Sequence, residues 1–106
     1  MVSLFCVEDE RIPRESIRKN VPWEENGISF VGDAPDGEMA LPQILEKKPD
    51  IVITDIRMPF MDGLELTRIL RKKLPETRII ILSGYDEFDY ARQAISMGVS
   101  DYLLKP

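Results

Sequence analysis

Histidine is absent from this sequence and cysteine occurs once, which removes two large classes of chemistry at the outset. Without imidazole there is no Ser-His triad, no histidine general base and no imidazole metal site. Cys6 has no partner for an internal disulfide, and its place in the apolar run "VSLFCV" predicts a buried, inert thiol suited to a reducing cytoplasm. Long hydrophobic runs are also missing, and no basic segment precedes "EDE" near the N-terminus, so neither membrane contact nor export is expected. Basic charge is in the minority. Fourteen Lys+Arg against 19 Asp+Glu give a net charge of −5, which argues against direct nucleic-acid binding, since that needs a basic surface. The one basic cluster, Arg71, Lys72 and Lys73, closes a helical segment and answers its dipole in solvent.

What is present fits one soluble α/β domain over residues 1–106. Five short apolar runs read as strands, at 2–7, 28–32, 50–55, 78–82 and 101–104; continuous apolarity in the first, third and fourth predicts cover on both faces. Helical spacing lies between them. Residues 63–74 place Leu64, Thr67, Leu70 and Leu74 near one stripe ahead of Pro75. Residues 86–97 start from Asp86 as a candidate N-cap, carry Phe88, Ala91, Ala94 and Ile95 on one side, and stop at Gly98. Residues 10–19 have Ile12 and Ile17 as anchors, and Pro42 within 37–47 predicts a late start or a kink. Strand and helix in alternation, with short connections, predict right-handed βαβ units and a doubly wound parallel sheet. A final helix after the fifth strand is absent from this sequence, so one flank is expected to be thinly covered, and the chain is expected to be a fragment of a longer protein or to meet a partner there.

In such sheets the functional crevice lies beyond the carboxyl ends of the strands. The first strand ends in Glu8-Asp9-Glu10, the third in Asp55, the fourth in Ser83-Gly84, and the fifth runs into Lys105-Pro106. With the first and third strands as neighbours, Asp9 and Asp55 face each other across a short gap. Clustered carboxylates repel, and oxygen ligands without histidine or thiolate suit a hard divalent cation, Mg²⁺. An Asp55 oxygen could then attack phosphorus while Ser83 and Lys105 contact phosphoryl oxygens. Each signal also has a plainer reading: the first three acids as helix caps, Asp55 as a polar turn, Ser83-Gly84 as a turn, and Lys105 as a surface lysine. Gly63 reads as a backbone requirement, and Met58 and Met61 as packing.

The segments "VEDE", "PDIVITDIRMPFMDG", "IIILSGYDEF" and "GVSDYLLKP" together resemble the receiver domain of two-component response regulators over essentially the whole chain. The resemblance implies a flavodoxin-like strand order of 2-1-3-4-5. It implies Asp55 as phospho-acceptor, Mg²⁺ held by Glu8, Asp9, Asp55 and the backbone carbonyl of Arg57, and Ser83 and Lys105 on the phosphoryl group. Glu8 stands where many members have aspartate, and its longer side chain would reach the metal through water. Tyr102 matches the aromatic switch that follows Ser83, and a cis peptide is implied before Pro106. Such a domain promotes its own phosphorylation and dephosphorylation and is not a turnover enzyme.

With no histidine of its own, the chain would take its phosphoryl group from a histidine kinase, a phosphotransfer protein or a small phosphodonor. "SGYDEFDYARQAI" and "DYLLKP" are similar to receivers fused to AraC-type DNA-binding output domains, which implies a transcriptional output as partner; a homodimer is a separate candidate, which the missing final helix counts against. Two other classes compete: a turnover phosphatase with Asp55 as nucleophile, and an interaction module that keeps the fold without the switch.

Overall fold

The computed structural model describes residues 1–84 and 88–104, and the side chains of all of these except Phe88, Ala91, Tyr102 and Leu104. Among the described residues, five strands and four helices alternate: β1 Val2–Val7, α1 Arg11–Asn20, β2 Ile28–Ala34, α2 Gly37–Lys47, β3 Ile51–Asp55, α3 Gly63–Lys73, β4 Arg78–Ser83, α4 Phe88–Ser96 and β5 Asp101–Leu104. A 3₁₀ turn at Glu24–Asn26 leads into β2. All neighbouring strands are parallel, in the order β2-β1-β3-β4-β5, as the resemblance implies. The first crossover steps one way along the sheet and every later one steps the other way. Right-handed connections therefore put α1 on one face and α2, α3 and α4 on the other.

The two faces are unequally packed. Phe5, Val7, Val52, Ile79 and Ile81 point into a core completed by Ala40 and Ile44 of α2, Leu64, Leu66 and Leu70 of α3, and Ala94 of α4. Each large side chain buried there contributes about 1.5–3 kcal/mol. No residue of α1 is buried. On the face it covers, Leu4 and Cys6 are enclosed, Ile51, Ile53, Ile80 and Leu82 are half-buried, and Leu103 is 50% exposed. Burial pushes the Cys6 thiol up to about 12, with the Glu8 charge adding to the effect, so it stays neutral and inert.

Polar and aromatic contacts hold α1 instead. Arg14 Nη1 donates to the Glu8 carbonyl at 2.9 Å, and Trp23 Nε1, beyond the helix end, donates to Ile17 O at 2.8 Å. The Trp23 ring lies 6.0 Å from that of Phe30, and Arg18 reaches Asp33 at 3.5 Å. At the opposite end of the sheet, Ser3 N and Oγ both donate to Asp50 Oδ2, at 2.8 and 3.1 Å. That pair, the backbone N–H first, holds the Asp50 carboxyl below its usual range and fixes the β1–β3 register.

Three expectations are corrected, and a fourth, at Pro42, is narrowed. Helix α2 has no late start, because Asp36 Oδ1 accepts the Met39 amide at 2.8 Å and sets its first turn. Pro42 costs only the bond to the carbonyl of Glu38, on an exposed stretch where solvent can replace it. Ile12 is 76% exposed and Ile95 51% exposed, so neither anchors its helix. Strand β2 runs on to Ala34 through a bulge: Phe30 pairs with Leu4 and Gly32 with Phe5, while Val31 gives its carbonyl to Lys47 Nζ at 2.8 Å. Gly98, at φ +84, supplies the left-handed residue after α4, as the sequence predicts; Asp86 lies outside the described residues.

Candidate functional site

Where the strand order reverses, between β1 and β3, the carboxyl ends of two adjacent strands open a crevice. Glu8 and Asp9 leave β1 on one side of it, and Asp55 ends β3 on the other. One carboxylate oxygen from each of the three lies within 4.8 Å of the others. Glu8 is 1% and Asp55 2% exposed, whereas Asp9 faces solvent. Glu10, by contrast, is not in the cluster; its amide donates to Glu8 Oε2 at 3.2 Å.

Local backbone chemistry aims these groups. The Ile56 amide donates to Asp55 Oδ1 at 2.9 Å, which orients the carboxylate against its own strand end. Gly63 then returns the chain onto that end: its N–H donates to Ile56 O at 2.6 Å, and a Cβ there would collide with the Asp55 carbonyl oxygen. Glycine is thus required by close approach. Thr67 Oγ1 donates to Gly63 O at 2.7 Å and locks the first turn of α3. Asp62, the second acid of "DIRMPFMDG", caps α3 through Glu65 N at 2.9 Å and belongs to the helix, not to the cluster. Met58 and Met61 pack against the core, as the sequence predicts.

Three like charges this close repel by about 3 kcal/mol per pair at an effective dielectric of ~20, a cost that a bound cation would offset. An all-carboxylate donor set fits Mg²⁺, which takes hard oxygen ligands and keeps several waters. A second feature points to an anion. Ser83 Oγ, at the end of β4, is buried and has no hydrogen-bond partner among the described residues. Leaving such a group unmatched costs about 1–3 kcal/mol, which a ligand oxygen would offset. Asp55 pairs with Leu82 across the sheet, so Ser83 lies one residue beyond the neighbour of Asp55.

Of the other predicted site residues, Arg57 sits two residues past Asp55 with its guanidinium 6.0 Å from the Tyr90 ring centroid. Tyr102 pairs through its backbone with Ile81. Its side chain, Lys105 and the peptide before Pro106 lie outside the described residues. Sequence reasoning missed Arg14, which ties down the Glu8 carbonyl, and the Ile56 amide on Asp55. Backbone donors carry no residue signature, so nothing in the sequence marked the second.

The family model for the response regulator receiver domain matches residues 4–106. YesN of Bacillus subtilis (strain 168), named as an uncharacterized transcriptional regulatory protein, is 43% identical over 106 residues, which are 100% of this chain and 29% of YesN. The chain therefore spans less than a third of that relative. The REC domain of AraT, a response regulator from Geobacillus stearothermophilus, has a TM-score of 0.93 at 46% identity, covering 100% of this chain and 83% of that one. A two component transcriptional regulator AraC from Clostridium phytofermentans ISDg has a TM-score of 0.85 at 31% identity, covering 100% and 81%. No described helix is long and apolar enough to cross a membrane. With the family matched over nearly its whole length, this chain belongs to the response regulator receiver domain family and is the receiver part of a two-component system.

Proposed function

We propose that this receiver takes a phosphoryl group on Asp55 from the phosphohistidine of a kinase or phosphotransfer protein. An Asp55 carboxylate oxygen attacks phosphorus, the P–N bond to the donor imidazole breaks, and an acyl phosphate forms while the histidine leaves with the bonding pair. Glu8, Asp9, Asp55 and the Arg57 carbonyl would hold Mg²⁺, which when bound offsets the negative charge gathered on the carboxylates and the phosphoryl oxygens. The Ile56 amide keeps Asp55 aimed, and the Ser83 hydroxyl donates to a phosphoryl oxygen beside Lys105. Drawing Ser83 to that oxygen biases a two-state surface through Tyr102. Later hydrolysis of the acyl phosphate returns the carboxylate. The domain is thus a switch and not a turnover catalyst.

The observation that carries this reading is the convergence of three carboxylates within 4.8 Å, one strand away from an orphaned buried hydroxyl. The names of YesN and of the Clostridium AraC protein support a transcriptional, AraC-type output on a longer cytoplasmic regulator. The test is labelling by acetyl phosphate with Mg²⁺, followed by intact-mass spectrometry. Wild-type protein should gain one phosphoryl group and Asp55→Asn none; undiminished labelling of the variant would move the acceptor elsewhere.

A further inference from the structure

Phe60 breaks two rules at once. It is an aromatic side chain 81% exposed, and its φ is +68. The Met61 amide donates to Pro59 O at 2.9 Å, so residues 59–61 form a γ-turn of the strained hand, with Phe60 at its apex. A bulky residue there costs about 1–2 kcal/mol that glycine or asparagine would largely avoid. Nothing in the core repays this, because Phe60 is no part of the buried cluster.

The turn is also braced. Met58 and Met61, on either side, pack inward, and the Met61 carbonyl lies against Gly37 so tightly that a Cβ there would come within 2.7 Å. Chain direction is set by Pro59, one residue after Met58 and two before Met61, and beyond the turn by the Gly63–Ile56 hydrogen bond at 2.6 Å. The ring is thereby presented outward on a rigid mount, which lowers the ordering cost of any contact it makes. Ile12 is comparably exposed at 76% and stands three residues after Asp9, as Phe60 stands five after Asp55. Both thus rise from the segments that carry the carboxylate cluster.

We infer that Phe60, with Ile12 as a second point of contact, is the apolar anchor that seats the protein phosphodonor over Asp55. The inference rests on the phospho-acceptor reading above. Asp55 is 2% exposed, so a donor whose phosphoryl group sits on a side chain must bring its own surface against the loops around the crevice. Among the described residues the mouth itself is acidic, with Glu10 and Asp9 exposed. The two exposed apolar side chains supply an apolar hold, and they match a donor with an apolar patch beside its phosphohistidine. A small phosphodonor needs neither.

The discriminating experiment uses phosphorylated histidine-kinase cores from the source genome, screened as a panel for the one that transfers fastest to the wild-type protein. Phe60→Asn keeps a residue that tolerates the left-handed backbone but removes the ring, and Phe60→Tyr keeps the ring. Against that kinase, Phe60→Asn should lower the second-order transfer rate about tenfold to thirtyfold, with Phe60→Tyr close to wild type. Acetyl phosphate should label Asp55 equally in all three. Transfer to Phe60→Asn at the wild-type rate, or a parallel loss of acetyl phosphate labelling, overturns the anchor; so does a change in sedimentation showing that a second copy occupies Phe60. Failure of acetyl phosphate to label even the wild-type protein would instead remove the phospho-acceptor reading beneath it.

Discussion

Asp9 is the solvent-facing member of the carboxylate cluster, and as a proposed metal ligand it would serve function at the expense of stability. Its charge repels two buried neighbours, and its exposure screens part of that repulsion. Replacing it with asparagine should therefore stabilise the metal-free protein by about 1–2 kcal/mol. The same change would remove a proposed hard oxygen ligand, so Mg²⁺ should raise the melting temperature of wild type but not that of the variant. Thermal melts in EDTA and in excess Mg²⁺ read both effects, and a variant less stable than wild type in EDTA would show that the cluster is not repulsive. The pairing of acids at the ends of β1 and β3 was legible in the sequence because each apolar run stops at a carboxylate. The hydrogen bonds that aim those acids were not, since the Ile56 amide and the Glu8 carbonyl are backbone groups.

Among the elements, the connection from β3 to α3 carries the tightest requirement. A Cβ on Gly63 would collide with the Asp55 carbonyl oxygen and sit 3.0 Å from the Ile56 Cα. Gly63→Ala must push β3 and α3 apart and should destabilise the fold by about 2–4 kcal/mol, overpacking at backbone being harder to relieve than in a soft core. Denaturant melts check this, and a loss under 1 kcal/mol, roughly the cost of a mild core swap, would mean the loop yields freely. Periodicity read the strands and helices to within a few residues because their apolar spacing and their Pro75 and Gly98 stops are local. It failed at Ile12 and Ile95, where an apolar residue falls at a helical position that no neighbouring element covers. Of the late start or kink that Pro42 predicts, the late start is ruled out by the cap at Asp36.

For the molecule as a whole, the doubly wound order collects chemistry at one rim, and among the described residues the two faces are unequally packed. The face under α2, α3 and α4 holds the core, whereas α1 buries no side chain and depends on a few polar and aromatic ties. Local opening should follow that division: amides of α1 should exchange with solvent at least tenfold faster than those in the middle of α3, as read by native-state hydrogen exchange. Equal protection in both helices would contradict the unequal packing. The central claim, that acids distant in sequence share one divalent ion beside the acceptor, is tested most directly by anomalous scattering from crystals grown with Mn²⁺ and beryllofluoride. The account predicts one manganese peak ligated by Asp9 and Asp55, with Glu8 reached through water and the phosphoryl mimic on Asp55; a manganese peak away from these carboxylates, or the mimic on another residue, would contradict it.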